Sequence, residues 1–417
     1  MKKSSRKRIR YGRILILIGI VIISIVGINL YLNRDINNYM LDVTNKRIDN
    51  IYNELDKYEL DINVIYKYSD SVIEGNVISQ SIEKDVVVNK GDKLDLVVSR
   101  GKLDTDKLEA DGINELGKVP IMMYHGIKNI KNIETNYVGG NVDKDGYTRT
   151  VEAFRNDLEL YYQKGYRMIK LSDYIDGKID VEYGMSPIVL TFDDGNENNI
   201  KVTGIDSNGN IIIDPNSAVG VLEEFKKKYP DYNITAIFFV TNNLFNQPEY
   251  DEKILKWLVD NGYEVGNHTQ GHNNFSEIDS NKTQQVVGYM YNKLESIMGN
   301  KYSKIVALPF GSPYNKNHDN YKYIINGSYD GIEYETKAAL RVGWEPEVSP
   351  FNKDFDRTFL KRCRAYDNNG IDFDIEMTLR ILDKNRYISD GDVNTIVTST
   401  NNSNVINSEI TKELILY

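Results

Sequence analysis

The hydrophobic pattern changes character three times along the chain. Residues 14–32 are almost continuously apolar, about the length needed to cross a bilayer. The periods then shorten. Residues 45–58 carry Ile48, Ile51, Tyr52 and Leu55 at helical spacing, which predicts one packed face. Alternating runs at 62–68, 77–79 and 94–99 predict strands, with Gly75-Asn76 and Lys90-Gly91-Asp92 as turns. Residues 36–101 therefore read as a small α+β unit. Residues 102–118 are polar, acidic and glycine-containing, and read as a linker.

From 119 to 417 strands and helices alternate. The apolar strand Val119-Pro-Ile-Met-Met-Tyr-His-Gly126 comes first, followed by an amphipathic helix at 151–164 and a strand at 166–169. Further strands are predicted at 188–192, 234–240, 264–267 and 304–308, and helices at 217–228, 251–261 and 281–298. Asn208-Gly209 marks a hairpin inside an insertion at 201–214. Such alternation predicts an α/β domain, with parallel strands inside a ring of helices and its chemistry at the strand C-termini.

Charge and composition add three constraints. A net charge of -10 argues against nucleic acid as a partner. Cys363 is the single cysteine, so no intramolecular disulfide framework is available. Residues 1–13 carry seven Lys and Arg and no acid, which predicts a cytoplasmic basic segment ahead of the apolar run at 14–32. A cleaved signal peptide would need a small-x-small site after its apolar core. Asn29-Leu-Tyr-Leu-Asn-Arg-Asp35 stands there instead. An uncleaved signal-anchor is expected, with the protein single-pass in the cell membrane and its bulk outside.

The chemistry centres on two short stretches. Ile188-Val-Leu-Thr-Phe-Asp-Asp-Gly195 reads as a buried strand that delivers Asp193 and Asp194 to its C-terminal rim. Adjacent carboxylates raise each other's pKa unless a cation compensates. Gly266-Asn-His-Thr-Gln-Gly-His272 holds two of the four histidines in the chain. One Asp and two His make an open three-ligand set for a divalent metal, Zn²⁺ being the favoured ion. The plain alternative is an Asp-Asp-Gly turn and two surface imidazoles.

Thr-Phe-Asp-Asp-Gly followed by His-Thr-x-x-His resembles the first two motifs of the polysaccharide deacetylases, carbohydrate esterase family four. The resemblance covers residue 118 onward, loosely over the last fifty or so residues. It implies a distorted (β/α) barrel, commonly of seven strands. It also implies that Asp194, His268 and His272 hold the metal and that Asp193 is the general base. The run from Tyr68 through Gly101, with Gly75-Asn-Val-Ile-Ser-Gln80 and Leu94-Asp-Leu-Val-Val-Ser99, resembles a PASTA domain. That module is associated with peptidoglycan recognition in some proteins and serves as a spacer in others.

Two departures from the family pattern stand out. Where the third motif has Arg-Pro-Pro-x-Gly, this chain has Ala307-Leu-Pro-Phe-Gly311, without the arginine. Where the last motif has Leu-x-His, the C-terminal strand reads Asn394-Thr-Ile-Val-Thr398. A branch of the family permutes the order, and Met123-Tyr-His125 has the shape of the missing histidine motif. In a closed barrel the first and last strands are neighbours. His125 is then expected to be the general acid, across the metal from Asp193. Phe359-Leu-Lys-Arg362 resembles that branch's Leu-Pro-Arg, which makes Arg362 the candidate guanidinium, with a surface arginine as the alternative. Tyr124, Pro309, Phe310 and Gly311 are assigned to substrate and the oxyanion, where a backbone N–H suffices. Trp344 is open between sugar stacking and core, and His318 reads as solvated.

The function expected from this resemblance is metal-dependent removal of acetyl groups from N-acetylated amino sugars of a wall or surface glycan. Peptidoglycan is favoured over poly-N-acetylglucosamine. The alternative is an inert, glycan-binding relative that keeps the barrel as a scaffold.

Overall fold

The computed structural model describes residues 38–417, in two compact units that divide after Leu103. The apolar segment 14–32 lies outside the described residues. Among those described, no helix is long and apolar enough to cross a membrane.

In the first unit, helix α1 (Ile48–Leu55) buries Ile48, Ile51 and Leu55. They pack with Leu94, Leu96 and Val98, the alternate residues of one strand. Its main sheet has three strands, β1 (Asp61–Lys67), β2 (Val77–Gln80) and β3 (Lys93–Ser99), in the order β1-β3-β2. β3 runs parallel to β1 and antiparallel to β2.

The second unit begins inside the stretch expected to be a linker. Asp104 caps a short helix, α2 (Thr105–Ala110), by accepting from the Lys107 N–H. Leu108, Ile113 and Leu116 are buried, and the backbone at 114–118 bonds to residues 385–397. The acidic composition masks these apolar anchors, so residues 104–118 belong to the folded domain rather than to a linker.

Seven parallel strands form the body of this unit. They are β4 (Ile121–Tyr124), β5 (Ser186–Phe192), β6 (Ile237–Val240), β7 (Glu264–Asn267), β8 (Ile305–Ala307), β9 (Ala338–Leu340) and β10 (Cys363–Arg364). Their order is β9-β8-β7-β6-β5-β4-β10, with Tyr166–Met168 pairing alongside β5 as an eighth strand. Leu360, just before β10, bridges to Leu340 of β9, so the two edges of the curled row meet. This fits a seven-stranded distorted barrel.

Both faces of the strands are apolar, as buried parallel strands require. Met122, Leu190, Phe192 and Phe238 pack outward with helices α3 (Val151–Gln163), α4 (Ala218–Lys228), α5 (Asp251–Asp260) and α6 (Ser280–Met298). Ile121, Val189, Ile237, Phe239, Ile305 and Leu340 fill the inside. The strand Thr395–Thr398 takes no part in this row. It pairs with Glu413–Leu416 in a separate two-stranded sheet. The strand that closes the ring beside β4 is therefore β10, because the chain leaves the barrel after Arg364 for a further helix at Ile375–Leu382.

Glu115 ties the start of the domain to its end. Its carboxyl accepts from the Tyr387 hydroxyl and the Val397 N–H, each at 2.8 Å. Burial, reinforced by Asp390, pushes its pKa up to about 8. A carboxyl raised on folding stabilises fully below its unfolded value of about 4.3. That contribution is lost as pH climbs through about 8. Denaturant unfolding should therefore show stability falling from about pH 5 to about pH 9, and Glu115→Gln should flatten the fall. The same slope in both proteins would contradict this role for Glu115.

Candidate active site

Period-two alternation decides which residues face the barrel interior. Ile121 and Val189 are inward, so the same parity carries inward Met123 of β4 with His125 just beyond it, and Thr191 of β5 with Asp193 just beyond it. Cys363 packs with the outward cluster, which turns Arg362 and Arg364 the other way. His125, Asp193, His268 and Arg362 thus gather at the C-terminal mouth, where chemistry was expected.

Arg362 has no exposed surface, which excludes the surface alternative. Its Nη1 and Nη2 donate to the two carboxylate oxygens of Asp193, both at 2.7 Å, as a bidentate fork. Nη1 also donates to Thr191 Oγ1 at 3.2 Å and Nε to the Arg341 carbonyl at 3.3 Å. Burial alone would raise the Asp193 carboxyl. Arg362, joined by His268 and His125, outweighs it and holds the group well below the usual carboxylate range.

Asp194 adopts φ +74°, which separates it in direction from Asp193. Gly195 follows at φ +64°, and a Cβ there would meet the Leu244 carbonyl oxygen at 2.0 Å, so only glycine fits. Asp194 Oδ1 then lies 3.3 Å from His268 Nε2 and 3.5 Å from His272 Nε2. All three ligand atoms fall within 4.8 Å of one another. His268 Nδ1 is engaged by the Ala307 carbonyl at 2.9 Å, which places the proton on Nδ1. Its Nε2 is buried and makes no hydrogen bond, so a lone pair faces the other two ligands. These residues fit a divalent metal. Thr269, His272 and Phe310 also have positive φ, at +69°, +51° and +58°. Backbone strain of this kind gathers where the surroundings over-determine a site.

Several expected positions change. His125 Nε2 is 4.0 Å from Asp193 Oδ2, closer than the acetamido-sized gap expected between them. β4 and β5 are adjacent, with Tyr124 opposite Phe192, so the next residue of each strand emerges side by side. Tyr124 has outward parity. Its hydroxyl bonds Asp157 and Tyr161 in the core, away from substrate. In the Pro309-Phe-Gly311 turn, the Gly311 N–H is taken by the Leu308 carbonyl at 2.9 Å. Proline has no N–H, which leaves Phe310 as the backbone donor of the three. The Phe310 ring lies 4.7 Å from that of His272. Trp344 is 56 % exposed and so is not core, and His318 Nδ1 accepts from the Asn320 N–H.

The sequence also hides supporting residues. Asn267 accepts from the Thr269 N–H and donates to the Val287 carbonyl, fixing the loop between the histidines. Asn242 accepts from the Gly271 N–H at 2.8 Å. Asn at a strand end, just before a turn, is the signal that marks Asn267.

Residues 180–323 match the family model for polysaccharide deacetylase, and residues 39–100 match that for the PASTA domain. No curated protein matches the chain. Among solved structures it is similar to the Streptococcus pyogenes deacetylase PplD in complex with acetate, at 16% identity and TM-score 0.44, covering 60% of this chain and 93% of that one. It is also similar to IcaB from Ammonifex degensii, at 16% identity and TM-score 0.38, over 60% and 92% of the two chains. The three-PASTA-domain of a Ser/Thr kinase from Staphylococcus aureus aligns at 17% identity and TM-score 0.15, over 32% of this chain and 81% of that one.

The buried pair makes a pH-dependent prediction. Arg362→Met leaves Asp193 enclosed without its counter-ion and should cost about 3–5 kcal/mol in unfolding free energy at neutral pH. The cost should shrink as pH falls, because the stranded carboxyl in the variant takes up a proton while the wild type, its carboxyl held low by Arg362, keeps its ion pair down to about pH 4. Chemical unfolding at about pH 7 and about pH 4 checks this, and an equal cost at both would contradict it.

Proposed function

We propose that this chain, which carries a polysaccharide deacetylase domain and a PASTA domain, is a metal-dependent hydrolase that removes acetyl groups from N-acetylated amino sugars. The observation that carries the reading is the convergence of an Arg362-held Asp193 with Asp194, His268 and His272 at one barrel mouth. A divalent ion, Zn²⁺ by the donor set, would supply Lewis acidity toward water and the acetyl carbonyl.

The chain's own residues divide the remaining work. Asp193, kept ionised by Arg362, takes the proton of the attacking water. His125 returns a proton to the departing amine. Burial draws its imidazole below the ordinary value, while the Asp193 and Asp194 carboxylates oppose that pull. The Phe310 N–H serves the oxyanion. Peptidoglycan is the favoured polymer, supported by the PASTA domain alongside the catalytic one. A membrane-anchored, outward-facing location rests on the basic 1–13 segment and the apolar run at 14–32.

Acetate release by the purified full chain, with metal content measured in the same samples, tests the proposal. About one divalent ion per chain is expected. His268→Ala and His272→Ala should lose metal and acetate release together. His125→Gln should keep its metal and lose about 10²–10⁴-fold in kcat. No acetate from any N-acetylated glycan, or unchanged metal in both ligand variants, would overturn the reading.

A further inference from the structure

Arg364 sits two residues beyond Arg362 on β10, so it shares the inward parity and stands one rung nearer the mouth. Its guanidinium lies between two rings, 4.0 Å from the centroid of Tyr366 and 5.5 Å from that of Tyr147. The Tyr147 ring is in turn 4.7 Å from that of His125. Arg364 is thus one aromatic side chain away from the proposed acid. Among the described residues it makes no ion pair. Nη2 donates to the Asp145 carbonyl at 2.8 Å, and the enclosed Nε has no acceptor. Most of the five guanidinium donors remain uncommitted.

A cavity of about 590 Å³ opens at this point, lined among others by Tyr137, Lys144, Trp344, Arg364, Asp367 and Asp372. That volume lies in the range of small-molecule sites, about 300–1,000 Å³. Trp344 and Tyr137 are 56 % and 46 % exposed, which gives flat apolar faces for a sugar ring. Asp367 accepts at 2.9 Å from Nη1 of Arg149, which also forks onto Asp157. Lys144 and Arg364 bring two positive charges to a lining that also holds Asp367 and Asp372, the latter accepting from Asn368.

We propose that this cavity is a subsite for the glycan unit beside the one being deacetylated, and that Arg364 binds a carboxylate on that unit. The inference rests on the deacetylase reading and narrows its substrate class to acidic, carboxylate-bearing glycans. In a wall glycan the carboxylate has two sources, a lactyl ether on the sugar or a peptide attached to it.

Binding of defined saccharides to the full chain, by calorimetry, tests this without relying on turnover. The probes are N-acetylglucosaminyl-N-acetylmuramic acid, its lactyl carboxamide, and the same disaccharide carrying a stem peptide. The free acid should bind about 10- to 100-fold more tightly than the carboxamide, as a charge-assisted contact implies. Arg364→Gln should erase that preference. Arg364→Lys should keep only part of it, because the charge remains but the fork does not. If the peptide-bearing probe alone shows the Arg364-dependent gain, the carboxylate read is the peptide's. Equal binding of acid and carboxamide by the wild type, on every scaffold, would overturn the subsite. So would a preference that survives in Arg364→Gln. Failure of the deacetylase reading would appear separately, as absence of acetate release while the Arg364-dependent preference persists.

Discussion

A guanidinium with no exposed surface, forked onto one carboxylate, is the contact on which this site depends. Two adjacent acids at a barrel mouth would otherwise share a proton. Arg362 keeps Asp193 ionised inside, and the left-handed turn at Asp194 sends the second carboxylate to the histidines. The pair also spans the barrel interior, from the residue before β10 to the residue after β5, with β4 between them. Removing one partner strands a charge in an enclosed space, which costs more than the intact pair contributes.

That arrangement explains a motif that looks incomplete. The arginine missing from position 307 is supplied by Arg362, just ahead of β10 and far along the chain, brought close because the barrel curls. The Ala307 carbonyl has a different use, orienting His268. The chain also accepts strained backbone at Asp194, Thr269, His272 and Phe310, in a mouth braced by seven parallel strands. The same parity that aims Arg362 inward carries Arg364 toward Trp344, so the site and the neighbouring cavity draw on one strand.

Much of this was legible in the sequence because strand parity and motif spacing are local. The paired carboxylates, the two histidines and the strand before His125 needed only short-range pattern. What escaped depends on three-dimensional neighbours. The separation of His125 and Asp193 is set by the pairing of β4 with β5, which no spacing reveals. The stretch 104–118 hides its buried anchors among acids, and Thr395–Thr398 has strand composition yet pairs outside the barrel. Tyr124 stands next to the candidate acid His125 but has the wrong parity to reach substrate.

The central claim is that Arg362 acts through Asp193 rather than as an independent group. A double-mutant cycle on acetate release measures this directly, using Arg362→Met, Asp193→Asn and the two combined. The account predicts that the double variant is no slower than Asp193→Asn alone, because the arginine has nothing left to hold once the carboxylate is gone. Losses that multiply in the double variant would show two independent contributions and would contradict the account.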